Sequence, residues 1–244
     1  MPKPAQQEFL LPQETTKIPE SVRLFIVNII FWILENIAKI EIDEQSLHNL
    51  EQLDQQLNDS SVVVYGYHSS LFDSLVLPIL LSQQLNNVDT MIAPVAITHY
   101  QGLKKVFLDV MAALTHAKFL PVIRAKDEPN YEHKVKRLLL KQLIDVTRES
   151  LSEPNNIYGV APMSTRDKIL KSEAVNPGFI KVAQKHKTPL MPIAFTKDSR
   201  GKLQFSAGEI LPPPDKTSDL DSAVHMHMSI LAQLVPQELR GDYK

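Results

Sequence analysis

The sequence predicts an α/β fold, a mostly parallel central sheet covered by helices on both faces. Three observations carry this. From residue 61 onward, short β-branched and aromatic runs recur, read as strands over Ser61–Tyr65, Thr90–Ala96, Lys118–Ile123, Ile157–Ala161, Leu190–Phe195 and Leu203–Ala207. Between them lie segments of helical periodicity, Ser70–Gln84, Gly102–Leu114, Tyr131–Leu151 and Asn176–His186. Strand and helix alternate without an internal repeat or a low-complexity tract, the pattern of βαβ units stacked into one sheet.

The amino-terminal residues 1–58 read as an arm and helices preceding this domain, which spans residues 59–244. "MPKPAQQEFLLPQETTKIPE" is broken by prolines and lacks the basic, apolar and small-residue succession of a secretory signal. "SVRLFIVNIIFWILENIAKI" has apolar stretches well short of the ~20 residues a membrane span needs. Its Asn28, Glu35, Asn36 and Lys39 fall on one narrow polar stripe of an otherwise apolar helix. Two readings stay open, a core or cap helix and a helix lying in a lipid interface with Trp32 at headgroup depth. "DEQSLHNLEQLDQQLND" reads as a helix whose apolar face is Leu47, Leu50, Leu53 and Leu57. After the sheet, "LPPPDK" is a rigid connector to a carboxyl-terminal helix, "SDLDSAVHMHMSILAQLV".

Composition narrows the chemistry. With 26 Lys plus Arg against 28 Asp plus Glu, the formal net charge is -2, so no global field attracts nucleic acid and any basic site is local. The chain has no cysteine, which excludes a disulfide framework, a thiolate nucleophile and Cys-ligated zinc, and fits a reducing, cytoplasmic setting. Seven glycines occur, none in the spacing of a glycine-cradled nucleotide loop, so kinase, P-loop and dinucleotide-binding readings fall away. No metal or cofactor is expected. His225 and His227 sit two apart on a helix, on opposite faces, and read as surface histidines rather than ligands.

Three clusters follow predicted strands and therefore belong at the carboxyl edge of a parallel sheet, where open α/β sheets bind ligands. In "HSSLFD", His68 falls in the turn after a strand and Asp73 in the first turn of the next helix. An imidazole oriented by a carboxylate is a general base, and the helix start offers free N–H groups to an oxyanion. Asp73 also suits a capping-box-like start after Ser70, so the same carboxylate has a purely stabilising reading. In "YGVAPMSTRDK", a strand releases Ser164, Thr165, Arg166 and Lys168, two hydroxyls and two cations suited to a phosphate. In "FLPVIRAKD", another strand delivers Arg124 and Lys126.

Together these residues resemble the glycerolipid acyltransferases, the group of glycerol-3-phosphate and lysophosphatidate acyltransferases. "HSSLFD" is similar to their H-x4-D motif. "VAPMSTRDK" is similar to their downstream phosphate motif, between the F-P-E-G-T-R form of the membrane enzymes and the A-P-S-G-G-R-D-R form of the soluble plastid-type enzymes. The 98 positions from His68 to Arg166 resemble the soluble branch. "NPGFIKVAQKHKTPLMPIAF" resembles the family's later helix-to-strand segment, so the likeness runs from about Val62 to Phe195.

The resemblance implies a glycerol-3-phosphate acyltransferase-like fold with His68 as base and Asp73 as its orienting partner. Arg166 and Lys168 would be phosphate ligands, beside Ser164 and Thr165, with Arg124 or Lys126 completing the anion pocket. It implies an acyl thioester donor, acyl-CoA or acyl carrier protein, and a phosphate-bearing glycerol or lysophospholipid acceptor. Acyl carrier protein is a candidate partner for Lys134, Lys136, Arg137 and Lys141. Peripheral membrane contact is likewise a candidate, and nucleic acid is not expected. Met163, Ser164 and Thr165 depart from both motif forms, which leaves the acceptor's identity open. Two rivals stand beside this reading: a serine hydrolase using Ser69 or Ser70, and a lipid- or thioester-binding protein that keeps the fold without turnover.

Overall fold

A computed structural model describes residues 19–36, 40–67, 71–163, 169–198 and 200–244. The helices are α1 (Glu20–Asn36), α2 (Glu44–Leu57), α3 (Leu71–Gln84), α4 (Gly102–Thr115), α5 (His133–Leu151), α6 (Gly178–His186) and α7 (Leu220–Gln233). The strands are β1 (Glu41–Ile42), β2 (Val62–Tyr67), β3 (Thr90–Ala96), β4 (Ala117–Val122), β5 (Asn156–Val160), β6 (Leu190–Lys197) and β7 (Leu203–Ala207). Among the described residues they form one seven-stranded sheet in the order β1-β7-β6-β2-β5-β3-β4. The five strands from β6 to β4 are mutually parallel, whereas β7 runs antiparallel to β6 and β1 parallel to β7. The predicted α/β class and mostly parallel sheet are what the structure shows.

Strand β2 shows why such runs are apolar at every position. Its side chains alternate between two cores, Val62 and Val64 facing a cluster built with α1, α2, α3 and α4, Val63, Tyr65 and Tyr67 facing one built with α5, α6 and α7. A strand buried on both faces has no solvent side to carry polar residues. At Gly66 an added Cβ would lie 2.8 Å from Ile193 Cγ1 of the neighbouring β6, so this position demands a residue without a side chain.

Two expectations are corrected by packing. On α2 the buried residues are Ser46, Asn49, Leu50, Leu53 and Leu57, while Leu47 is exposed. The reason is a polar clasp on β7: Asn49 Nδ2 donates to the Ala207 carbonyl at 2.7 Å, and the Ala207 N–H donates to Ser46 Oγ at 2.9 Å. Satisfying a buried backbone end outweighs burying one more leucine. His227, expected at the surface, is fully buried, because α7 turns Ala223, His227, Met228 and Leu231 inward; His225 is exposed.

The Tyr65 hydroxyl donates to the His227 carbonyl at 3.2 Å and lies 3.3 Å from His227 Nδ1. His227 Nε2 has no hydrogen-bond partner among the described residues. Burial lowers the His227 pKa to about 4, against an ordinary 6.5. The unfolded chain thus binds the proton first on acidification, so stability is complete above about pH 6.5 and is lost as pH falls towards 4. Denaturant titrations at about pH 7 and about pH 5 are expected to differ by on the order of 2 kcal/mol, and His227→Gln to flatten that difference.

Candidate active site

The sheet topology brings together the strand ends that lead to all three clusters. β2 and β5 are neighbours, and Tyr65 stands opposite Val160, the last residue of β5. β3 flanks β5 on its other side, and β4 lies beyond it, with Ala96 opposite Val122. Chain segments leaving β2, β5 and β4 therefore start from one edge of contiguous parallel strands, the edge at which helix starts also gather.

His68, Ser69 and Ser70, in the segment between β2 and α3, lie outside the described residues, as do Ser164, Thr165, Arg166 and Lys168. Asp73 falls on the first turn of α3, and Lys126 in a 3₁₀ turn over Ala125–Asn130; their side chains also lie outside what is described.

Arg124 is described in full. Its Nε donates to Asp127 Oδ2 at 2.7 Å, and its Nη2 donates to Thr98 Oγ1 at 3.3 Å. Thr98 belongs to the 3₁₀ turn Ile97–His99 that follows β3, so the guanidinium bridges the exits of β3 and β4. Two of its five donors are used in this way, and the remaining fork is held in a fixed orientation. Asp127 was missed at the sequence level, although its three-residue spacing from Arg124 signals the pair.

The Tyr100 hydroxyl, at the end of the same turn, is buried and has no hydrogen-bond partner among the described residues. Burial, with a smaller contribution from the Asp109 carboxylate, pushes its pKa up, so it stays protonated and able to donate. The edge also carries cations at helix starts. Neither α4 nor α5 has an acid in its first turn, where Lys104, Lys105 and Lys134 stand instead.

The segment that contains Ser164 to Lys168 is anchored on both sides. Before it, Met163 bridges to Val175, and the Asn176 N–H donates to the Pro162 carbonyl at 2.8 Å. After it, Leu170 is fully buried and exchanges backbone hydrogen bonds with the carboxyl terminus, donating to Leu239 at 2.9 Å and accepting from Asp242 at 3.1 Å. Asp242 Oδ2 accepts from both the N–H and the hydroxyl of Ser172, each at 2.8 Å, and these bonds hold its carboxyl below the usual range.

Gly241 makes this clasp possible. Its φ is +54°, and an added Cβ would sit 1.9 Å from the Leu170 carbonyl oxygen. Gly241→Ala is expected to displace the tail, destabilising the protein by about 1–3 kcal/mol and speeding amide exchange at Leu170 and Ser172. Hydrogen-exchange mass spectrometry reads that change directly.

Comparison with known proteins agrees with this architecture. A family model described as acyltransferase matches residues 25–196, from α1 through β6, and so spans the H-x4-D segment, the Arg124 turn and the Arg166 segment. No curated protein matches the chain. A match over most of the chain shows its membership: this protein belongs to the acyltransferase family.

Proposed function

We propose that the protein is an O-acyltransferase that moves a fatty acyl group from an acyl thioester, on coenzyme A or acyl carrier protein, to a hydroxyl of glycerol 3-phosphate or a lysophospholipid. The observation that carries this reading is the acyltransferase match, together with the two motifs that follow adjacent parallel strands, β2 and β5, within it. His68 takes the proton of the acceptor hydroxyl as its oxygen attacks the thioester carbonyl; Asp73 orients the imidazole. The C–S bond then breaks, and the departing thiolate takes the proton from the imidazolium. No acyl-enzyme is formed. Arg166 and Lys168, with Ser164, Thr165, Lys126 and the Asp127-braced Arg124, bind the acceptor phosphate and turn an encounter into a positioned attack. The finer kinship we propose is with the soluble glycerol-3-phosphate branch, on the long spacing between the motifs.

Lys134, Arg137 and Lys141 are exposed along α5, a cationic face suited to an acidic carrier protein donor. The reading is tested by thiol release from acyl-CoA and from acyl carrier thioester, with and without acceptor. Release that requires glycerol 3-phosphate or lysophosphatidate supports it. Acceptor-independent release points to a hydrolase instead. The departure at Met163, Ser164 and Thr165 favours one alternative, an acyltransferase-fold protein that binds thioester or lipid without turnover; binding with no release under any condition would establish it.

A further inference from the structure

α1 and α4 pack side by side on one face of the sheet, each presenting apolar residues both inward and outward. On α1, Val27 and Phe31 are buried, yet Phe25 and Trp32 are 64% and 60% exposed, and Val22 and Ile29 are exposed with them. This outward face is far wider in apolar residues than the polar stripe expected from Asn28 and Asn36, both of which it also carries. On α4, every residue from Gly102 to Phe107 is exposed, Leu103 at 87%, and Val110 continues the same side one turn further. The two helices are joined where buried Arg23 of α1 donates through Nη1 to the Leu114 carbonyl in the last turn of α4, at 2.9 Å. The chain leaves α1 for β1, which runs against the parallel strands and so starts near their carboxyl edge. The Trp32 end of α1 and the Leu103 end of α4 thus lie towards the same edge.

Large apolar side chains on the uncovered side of a helix are ordinarily covered by something else. Contiguous exposed apolar surface of this kind marks an interaction site. The cations identify the partner. Lys104 and Lys105 occupy the first turn of α4, against the positive end of the helix dipole; Lys105 is paired one turn on with Asp109 at 2.8 Å, which leaves Lys104 as the cation whose place the helix itself does not favour. Beside protruding Leu103, Val106 and Phe107, the two lysines form the apolar tip and basic collar that suit acyl chains beneath anionic headgroups. Trp32 has the amphipathic ring that favours headgroup depth. Among the described residues no helix is long and apolar enough to cross a membrane; one covered and one uncovered apolar side on each helix suit helices that lie in the surface.

We propose that the outward faces of α1 and α4 form a single docking surface for an anionic lipid bilayer. Docking stands on these surfaces alone. That the bilayer would deliver a lipid substrate to the adjoining edge rests on the acyltransferase reading above.

Trp32 is the only tryptophan, so its fluorescence reports this face without labelling. The full chain is mixed with vesicles of equimolar phosphatidylcholine and phosphatidylglycerol, with pure phosphatidylcholine vesicles, and with vesicles of brominated acyl chains. The expected result is a blue shift, quenching by the brominated chains and co-flotation, strongest on the anionic vesicles. Lys104→Gln is expected to weaken anionic binding about five-fold. Leu103→Glu with Val106→Glu, both at exposed positions, is expected to abolish flotation while far-UV circular dichroism stays unchanged. Unshifted Trp32 emission in the wild-type chain with every vesicle would overturn the proposal, as would a lipid-independent blue shift that accompanies a doubled mass in light scattering. His68→Ala is expected to float like the wild type, so loss of turnover and loss of docking are separately visible.

Discussion

His68→Ala is expected to lower acceptor-dependent thiol release by about 10²–10⁴-fold, the usual contribution of a positioned general base. The loss falls on kcat. Arg166 and Lys168 hold the acceptor in this account, so its KM changes little, whereas Arg166→Ala is expected to raise that KM and leave the donor's unaffected. Asp73→Asn tests the orienting role through a loss in kcat and a shifted pH–rate profile, because the amide neither holds the imidazole in the right tautomer nor stabilises its protonated form. A purely capping role for Asp73 predicts a lower melting temperature with an unchanged profile. Thermal melting of His68→Ala beside the wild type separates loss of the base, which leaves the melting temperature unchanged, from loss of the fold.

Phe179→Ala has the largest expected effect on stability, about 3–5 kcal/mol, or a melting temperature lower by about 6–20 °C. Phe179 is 1% exposed, stacks on Tyr65 with ring centroids 5.0 Å apart, and meets the edge of His227 at 6.4 Å. Removing the ring leaves a cavity between α6, α7 and the central strand, walled by side chains that the sheet holds in place. It also exposes the hydrogen bond from the Tyr65 hydroxyl to the His227 carbonyl to competition from water. The acid-sensitivity of the His227 site is therefore expected to diminish in Phe179→Ala, since a better-solvated imidazole regains an ordinary pKa. Thermal melts at neutral and mildly acidic pH separate the two effects.

Much of this fold is legible in local sequence because its strands are buried on both faces. Val62 to Tyr65 could be read as a strand from β-branching alone, and the six strands read that way each match one observed within a residue or two at most boundaries. β1 escaped, since two residues show no periodicity. The α2 face was misassigned because its decisive partners are the N–H and carbonyl of Ala207, far away in the chain. Burial of His227 was equally hidden: Tyr65, which receives it, lies 162 positions earlier.

The candidate site divides in the same way. The residue types that carry its chemistry are contiguous motifs and were visible at once. Their supports are long-range, as in the hold of Asp242 on Ser172 across 70 positions and of Thr98 on Arg124 across 26. The apolar character of α1 and α4 was equally plain, but only the packed structure separates the covered side of each helix from the uncovered one.

The central claim is that an acyl group passes from a thioester to an acceptor hydroxyl with His68 as the base. Incubating the wild-type chain with an acyl thioester labelled in its carbonyl carbon, plus glycerol 3-phosphate or lysophosphatidate, tests it most directly. The account predicts label in an ester of the acceptor, absent with His68→Ala. Label recovered only as free fatty acid, or retained wholly in the thioester, would contradict it.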